Sequence, residues 1–204
     1  MNLFTITVAR GCIVIASKMI AIGASTGGFD ALEAILASLP SWSPPILIAM
    51  HLQPGISRAY AARLNGLSHF ASKEAESGDK LQKGHVFVAP GGMHMRVISR
   101  LGALELECYS GERVHHVAPS ADVLFDSIVK ETPGSAIGVL LTGIGQDGAQ
   151  GLLNMRRTGS TTIGQDKDSC LVYGMPKVAK DIGAVQFELP LNQIAAKITE
   201  LISP

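Results

Sequence analysis

From Met19 onward the chain alternates short apolar runs, each ended by glycine or polar residues, with stretches whose apolar positions recur every three to four residues. Short, almost uniformly apolar runs suit strands covered on both faces, and the spaced stretches suit helices. Their alternation predicts a parallel sheet. MIAIG reads as the first strand of that sheet, and FDALEAILASLP follows it with Leu32, Ile35, Leu36 and Leu39 on one helical face before Pro40 ends the helix. PPILIAM and HVFVAP read as further strands, and SAIGVLLTG as a long buried one followed by the helix AQGLLNMRRTG. PSADVLFDSIVK reads as a helix capped at Ser120. MRVIS and ALELECY predict an antiparallel hairpin turned at Leu101 and Gly102. The fold class expected is therefore α/β: a doubly wound, mostly parallel sheet with helices on both faces and an antiparallel hairpin. No repeat or low-complexity linker divides the chain, so residues 19–204 are expected to form one domain. Residues 1–18 are expected to be a peripheral strand or an extension outside its core.

Composition changes this picture only by exclusion. The 204 residues suit one domain with a sizeable core. Lys plus Arg and Asp plus Glu are 17 each, so there is no polybasic field to attract nucleic acid or an anionic membrane. CIVIASKMIAI is interrupted by Lys18 and falls short of the roughly 20 apolar residues a bilayer span needs. The N-terminus also lacks the basic start and cleavage pattern of a secretory signal. Cys12, Cys108 and Cys170 are far apart and odd in number, which predicts neither a disulfide framework nor a zinc site and fits a reducing cytoplasm.

Open parallel sheets bind ligands beyond the carboxyl ends of their strands. Three reactive side chains are predicted there: Ser25 after MIAIG, His51 after ILIAM, and Asp147 in the loop TGIGQDG after IGVLL. A serine hydroxyl becomes a useful nucleophile when an imidazole takes its proton and a carboxylate fixes the imidazole tautomer. Gly23 to Gly27 fit G-x-S-x-G, a sharp strand-to-helix turn that exposes the serine. Each residue also has a plainer reading. GASTGG could cradle a phosphate in a nucleotide-binding oxidoreductase, although it lacks both the P-loop GK[ST] ending and the GxGxxG order. His51 could simply cap a strand, and Asp147 beside Gly148 could be a turn residue. His69, His85, His94, His115 and His116 show no metal-ligand spacing, and no metal is predicted.

Six stretches, in order, carry a resemblance: IGASTGG, LIAMHLQPG, KGHVFVAPGGMHM, PSADVLFDSI, LLTGIGQDGAQGL and IGQDKDSCLVYGMPKVA. Together they resemble the catalytic domain of the chemotaxis protein-glutamate methylesterases, the CheB family, from about Ile20 to Leu189. The resemblance implies a nucleophile at Ser25, a base at His51 and a carboxylate at Asp147. It also implies an active-site position at Thr26 and an oxyanion donor in the backbone around Ile144. The implied reaction is hydrolysis of glutamate γ-methyl esters on the cytoplasmic helices of methyl-accepting chemoreceptors, with glutamine deamidation as a second activity and no cofactor. A noncatalytic receptor-binding module of the same fold is the alternative. Two features depart from the family: Ile144 stands where methionine is typical, and only about 18 residues precede the domain where many members carry a receiver. The chain is accordingly expected to act without an attached receiver, leaving a separate partner as a route of regulation.

Overall fold

The computed structural model describes residues 6–9, 12–15 and 19–203. Two short strands, β1 (Ile6–Ala9) and β2 (Cys12–Ile15), pair antiparallel with each other. The rest of the expectation for residues 1–18 lies outside the described residues. From there the chain runs β3 (Met19–Ala24), α1 (Gly28–Ser38), β4 (Ile46–Met50), α2 (Ile56–Leu67), β5 (Ala71–Glu74) and β6 (His85–Val88). Then come β7 (His94–Arg100), β8 (Ala103–Tyr109), α3 (Ala121–Glu131), β9 (Ala136–Leu140) and α4 (Ala149–Arg157). The chain finishes with β10 (Thr161–Gln165), α5 (Met175–Asp181), β11 (Phe187–Leu189) and α6 (Leu191–Ile202).

Seven strands form one parallel sheet in the order β11-β10-β9-β3-β4-β6-β5. The central strands are apolar on both faces, as their near-continuous hydrophobicity requires. Ile20, Ile22, Ile46, Ile48, Ile137 and Val139 face a layer built from α1, α2 and α6. Met19, Ala21, Leu47, Ala49, Ala136 and Leu140 face the opposite layer, which holds α3, α4, α5 and the hairpin. Leu32, Ile35 and Leu36 of α1 are fully buried. Each contributes about 1.5–3 kcal/mol of transfer free energy, so the periodicity read in the sequence is the face that holds this helix to the sheet. The hairpin β7-β8 turns where expected: Leu101 and Gly102 both have left-handed φ values, 51° and 81°. That is the two-residue turn whose twist matches antiparallel strands.

The strand order positions the site. From β3 the chain steps to β4 and on toward β5, then returns to the other side of β3 to lay down β9, β10 and β11. The loops after β3 and β9 therefore leave in opposite directions. Such a reversal at the carboxyl ends of neighbouring strands is the usual ligand position in these sheets.

Candidate active site

Ser25 directly follows β3, and His51 directly follows β4. The register pairs Ala24 with Met50, so these two residues are the next positions on adjacent strands. The His51 N–H donates to the Ala24 carbonyl at 3.2 Å, which holds that level. Asp147 comes from the loop after β9. This loop packs directly on Ser25: the Ser25 N–H donates to the Thr142 carbonyl at 3.0 Å. A Cβ on Gly143 would lie 2.8 Å from Ser25 Cβ and would also strike Met175. Only glycine at 143 leaves both where they are. Thr142 is held in turn by Gln165, whose Oε1 accepts the Thr142 N–H at 2.8 Å, while the Thr142 hydroxyl donates to the Thr26 carbonyl at 2.9 Å.

The strongest polar feature is the buried Asp147. His51 Nε2 donates to its Oδ2 at 2.7 Å, and the Ala121 N–H donates to the same oxygen at 2.7 Å. The other oxygen accepts the Ser120 hydroxyl at 2.6 Å and the Asp122 N–H at 3.2 Å. The carboxylate thus sits on the first turn of α3, where the helix dipole favours negative charge. Burial alone pushes the Asp147 carboxyl upward, but the hydrogen bonds from His51, Ser120 and Ala121 outweigh it and hold the group below the ordinary carboxylate value. It is ionised at neutral pH. Because Asp147 occupies Nε2, the lone pair left on a neutral His51 ring is on Nδ1.

Beside this pair lies an open cleft of about 450 Å³ lined by His51, His115, Ile144, Gln146, Asp147 and Val178, among others. Ser25 is partly exposed and outside that lining, and its hydroxyl makes no hydrogen bond among the described residues. Ser25 and His51 are thus neighbours by strand register without a closed side-chain bond. Thr26 is exposed, and its backbone N–H and that of Ile144 have no acceptor among the described residues. The two thiols are weak nucleophiles: burial pushes Cys170 up to about 11 and Cys108 up to about 12, which keeps both protonated.

Ile144 projects into solvent at the cleft, 64% exposed. Little packs on it. Ile144→Met should therefore leave the thermal midpoint nearly unchanged and alter the ratio of kcat/KM between substrates by less than about 1.5 kcal/mol, as near-isovolumetric apolar swaps do. Parallel melts and steady-state kinetics on two candidate ester substrates check this.

Several residues in the site escaped sequence reasoning. Ser120 was legible as a helix cap but not as a donor to Asp147. Gln165 ends an unread strand. His115, dismissed for lack of metal spacing, lines the cleft and meets Asp122, with Nε2 and Oδ2 3.0 Å apart. Ligand-type atoms of His115, Asp122 and Asp147 lie within 4.8 Å of one another, and those carboxylates are already engaged by the donors named above and by the Gly151 N–H.

An open parallel sheet with a histidine-carboxylate pair and an adjacent serine at its switch point defines an α/β protein built around a hydrolase-like rim. The CheB methylesterase family model matches residues 20–198. The chain belongs to that family. It is 45% identical over 185 residues to a protein-glutamate methylesterase/protein-glutamine glutaminase of Syntrophomonas wolfei, covering 91% of this chain and 54% of that protein. It is 43% identical over 198 residues to the protein of the same name in Escherichia coli K12, covering 97% and 56%. The chain thus spans about half the length of these curated relatives. The crystal structure of the Thermotoga maritima CheB methylesterase catalytic domain superposes with a TM-score of 0.88 at 34% identity, covering 91% of this chain and 99% of that one. With the family established, the oxidoreductase alternative falls away.

Proposed function

We propose that residues 19–204 act as a serine hydrolase on cytoplasmic helices of methyl-accepting chemoreceptors, converting glutamate γ-methyl esters to glutamate and methanol. The same chemistry deamidates receptor glutamine, with ammonia leaving in place of methanol. One observation carries this function: His51 and Asp147 are paired at 2.7 Å, one strand over from the small-residue turn that presents Ser25.

Ser25 Oγ attacks the ester carbonyl carbon as its proton passes to His51 Nδ1, the nitrogen that Asp147 leaves free. The N–H groups of Thr26 and Ile144 receive the developing oxyanion, the kind of fixed donor pair that contributes most to acyl transfer. Collapse of the adduct breaks the bond to methoxide, which takes the proton from His51 and leaves as methanol. Water then adds to the γ-glutamyl ester, gives its proton to His51, and the second collapse returns a proton to Ser25 and frees the carboxylate. These steps use no cofactor and no metal. The substrate places the domain in the cytoplasm, and among the described residues no helix is long and apolar enough to cross a membrane.

Methanol release from a methylated receptor fragment tests the function. A folded chain that binds receptor without releasing methanol would instead be the noncatalytic module.

A further inference from the structure

The imidazole of His115 ties together two segments that must be held still around Asp147. His115 Nε2 is 3.0 Å from Oδ2 of Asp122, a buried residue in the same α3 turn whose N–H groups grip Asp147. The other ring nitrogen, Nδ1, is 3.1 Å from the amide nitrogen of Gln146, the residue preceding Asp147 in the β9 loop. One neutral tautomer satisfies both contacts: Nε2–H donates to the Asp122 carboxylate, and Nδ1 accepts from the Gln146 amide. The Asp122 carboxylate is anchored from behind, since the Gly151 N–H of α4 donates to Oδ1 at 2.7 Å.

The backbone at His115 is unfavourable for its residue type. His115 and His116 have φ of 52° and 66° and form the two centre positions of a tight turn closed by reciprocal hydrogen bonds between Val114 and Val117. Such turns favour Asn-Gly, and a non-glycine residue in this region is strained. A glycine would relieve the strain at 115 but could make neither side-chain contact.

We propose that His115 is a positioning residue for the relay assigned above, an imidazole clamp that fixes the Gln146-Asp147 loop against the first turn of α3 and so sets the orientation of His51. This rests on the proposed hydrolase function. In this role His115 acts through Asp122 and Gln146, which occupy its two nitrogens, and not on the reacting atoms.

The test is His115→Gly, assayed for methanol release and melted in parallel. Glycine suits the left-handed backbone, and the strain it relieves offsets the donor lost to Asp122, so the test reads kcat at nearly constant stability. The expected result is a thermal midpoint within a few degrees of the parent and a KM within about twofold, with kcat down by about 10- to 100-fold, the cost of displacing a catalytic group by up to an ångström. The side chain of His115 is partly exposed at the cleft, so free imidazole should enter the vacated space and restore part of the lost kcat. Gln146→Leu, a change at an exposed side chain, should lower kcat in the same direction, and the two changes together should cost less than the product of their separate effects. A kcat within about twofold of the parent overturns the clamp, as does a multiplicative double variant. A loss of kcat with a lowered midpoint and no response to imidazole overturns it as well. Ser25→Ala is run alongside. If Ser25→Ala is inactive and His115→Gly is normal, only the clamp fails; if Ser25→Ala turns over like the parent, the serine mechanism fails and takes the clamp with it.

Discussion

Ser25→Ala should purify as a folded protein and lose methylesterase turnover by about 10⁴- to 10⁶-fold, the range seen when a serine hydrolase loses a member of its catalytic unit. The fold should hardly notice. Ser25 is only partly buried, and its hydroxyl makes no hydrogen bond among the described residues, so deletion leaves no partner unsatisfied. Its effect on stability should stay within about 0.5 kcal/mol, as for other substitutions that touch no cap, core or network. His51→Ala should match the loss of rate, because in the proposed mechanism the two side chains act as one unit. It should differ in stability. Removing the imidazole takes one donor from a buried carboxylate, which costs on the order of 1–3 kcal/mol. Single-turnover methanol release and urea melts on both variants separate the two effects. Turnover of folded Ser25→Ala near the parent rate would remove serine from the mechanism.

Legibility in the sequence followed the strength of each local signal. Strands β3, β4 and β9 were readable because they lie in the centre of the sheet and are apolar on both faces, and α1 because Leu32, Ile35 and Leu36 repeat at helical spacing. Helix α2 was not. Its buried face is Ser57, Tyr60, Ala61 and Leu64, half of it small or polar, so the apolar period is faint. Strand β5 is the edge sequence ASKE, and β10 is TTIGQ, whose buried Thr162 and Gln165 spend their polar groups on neighbouring loops. Such strands carry no hydrophobic run to find. The positions of Ser25, His51 and Asp147 were inferable from strand ends, since the switch-point rule needs only the order of elements. Their support was not. The three α3 donors to Asp147 and the contacts of His115 join residues 7 to 31 positions apart in sequence, and no local pattern announces such pairs.

Asp147→Asn should cost both turnover and stability, although Asp-to-Asn in an ordinary surface turn would cost neither. An aspartate there uses two oxygens to accept four donors: His51 Nε2–H and the Ala121 N–H on one, the Ser120 hydroxyl and the Asp122 N–H on the other. An asparagine offers one oxygen and one NH₂ group, so one side must set donor against donor. Placing the NH₂ toward His51 would oppose the Ala121 N–H at 2.7 Å and reverse the imidazole tautomer. Placing it toward Ser120 opposes the Asp122 N–H across a longer 3.2 Å, while the Ser120 hydroxyl can rotate to accept. The second arrangement wins. It keeps the tautomer but removes the negative charge that stabilises the imidazolium, so turnover should fall by at least about 10²-fold, and by less than the roughly 10⁴-fold cost of a reversed tautomer. The unsatisfied Asp122 N–H should cost about 1–3 kcal/mol, partly offset by relief of repulsion with the Asp122 carboxyl, which burial and then the Asp147 charge push upward. The stability loss has a pH signature. Asp147 is held below the ordinary carboxylate value in the folded state, so the unfolded chain binds the proton more readily, and its contribution is present above about pH 4 and lost as pH falls through the folded value. The gap between parent and variant should be widest at neutral pH and close in acid. A gap that is the same at pH 7 and at about pH 3, below the ordinary carboxylate range, would mean that Asp147 is not the ionised acceptor its four donors imply.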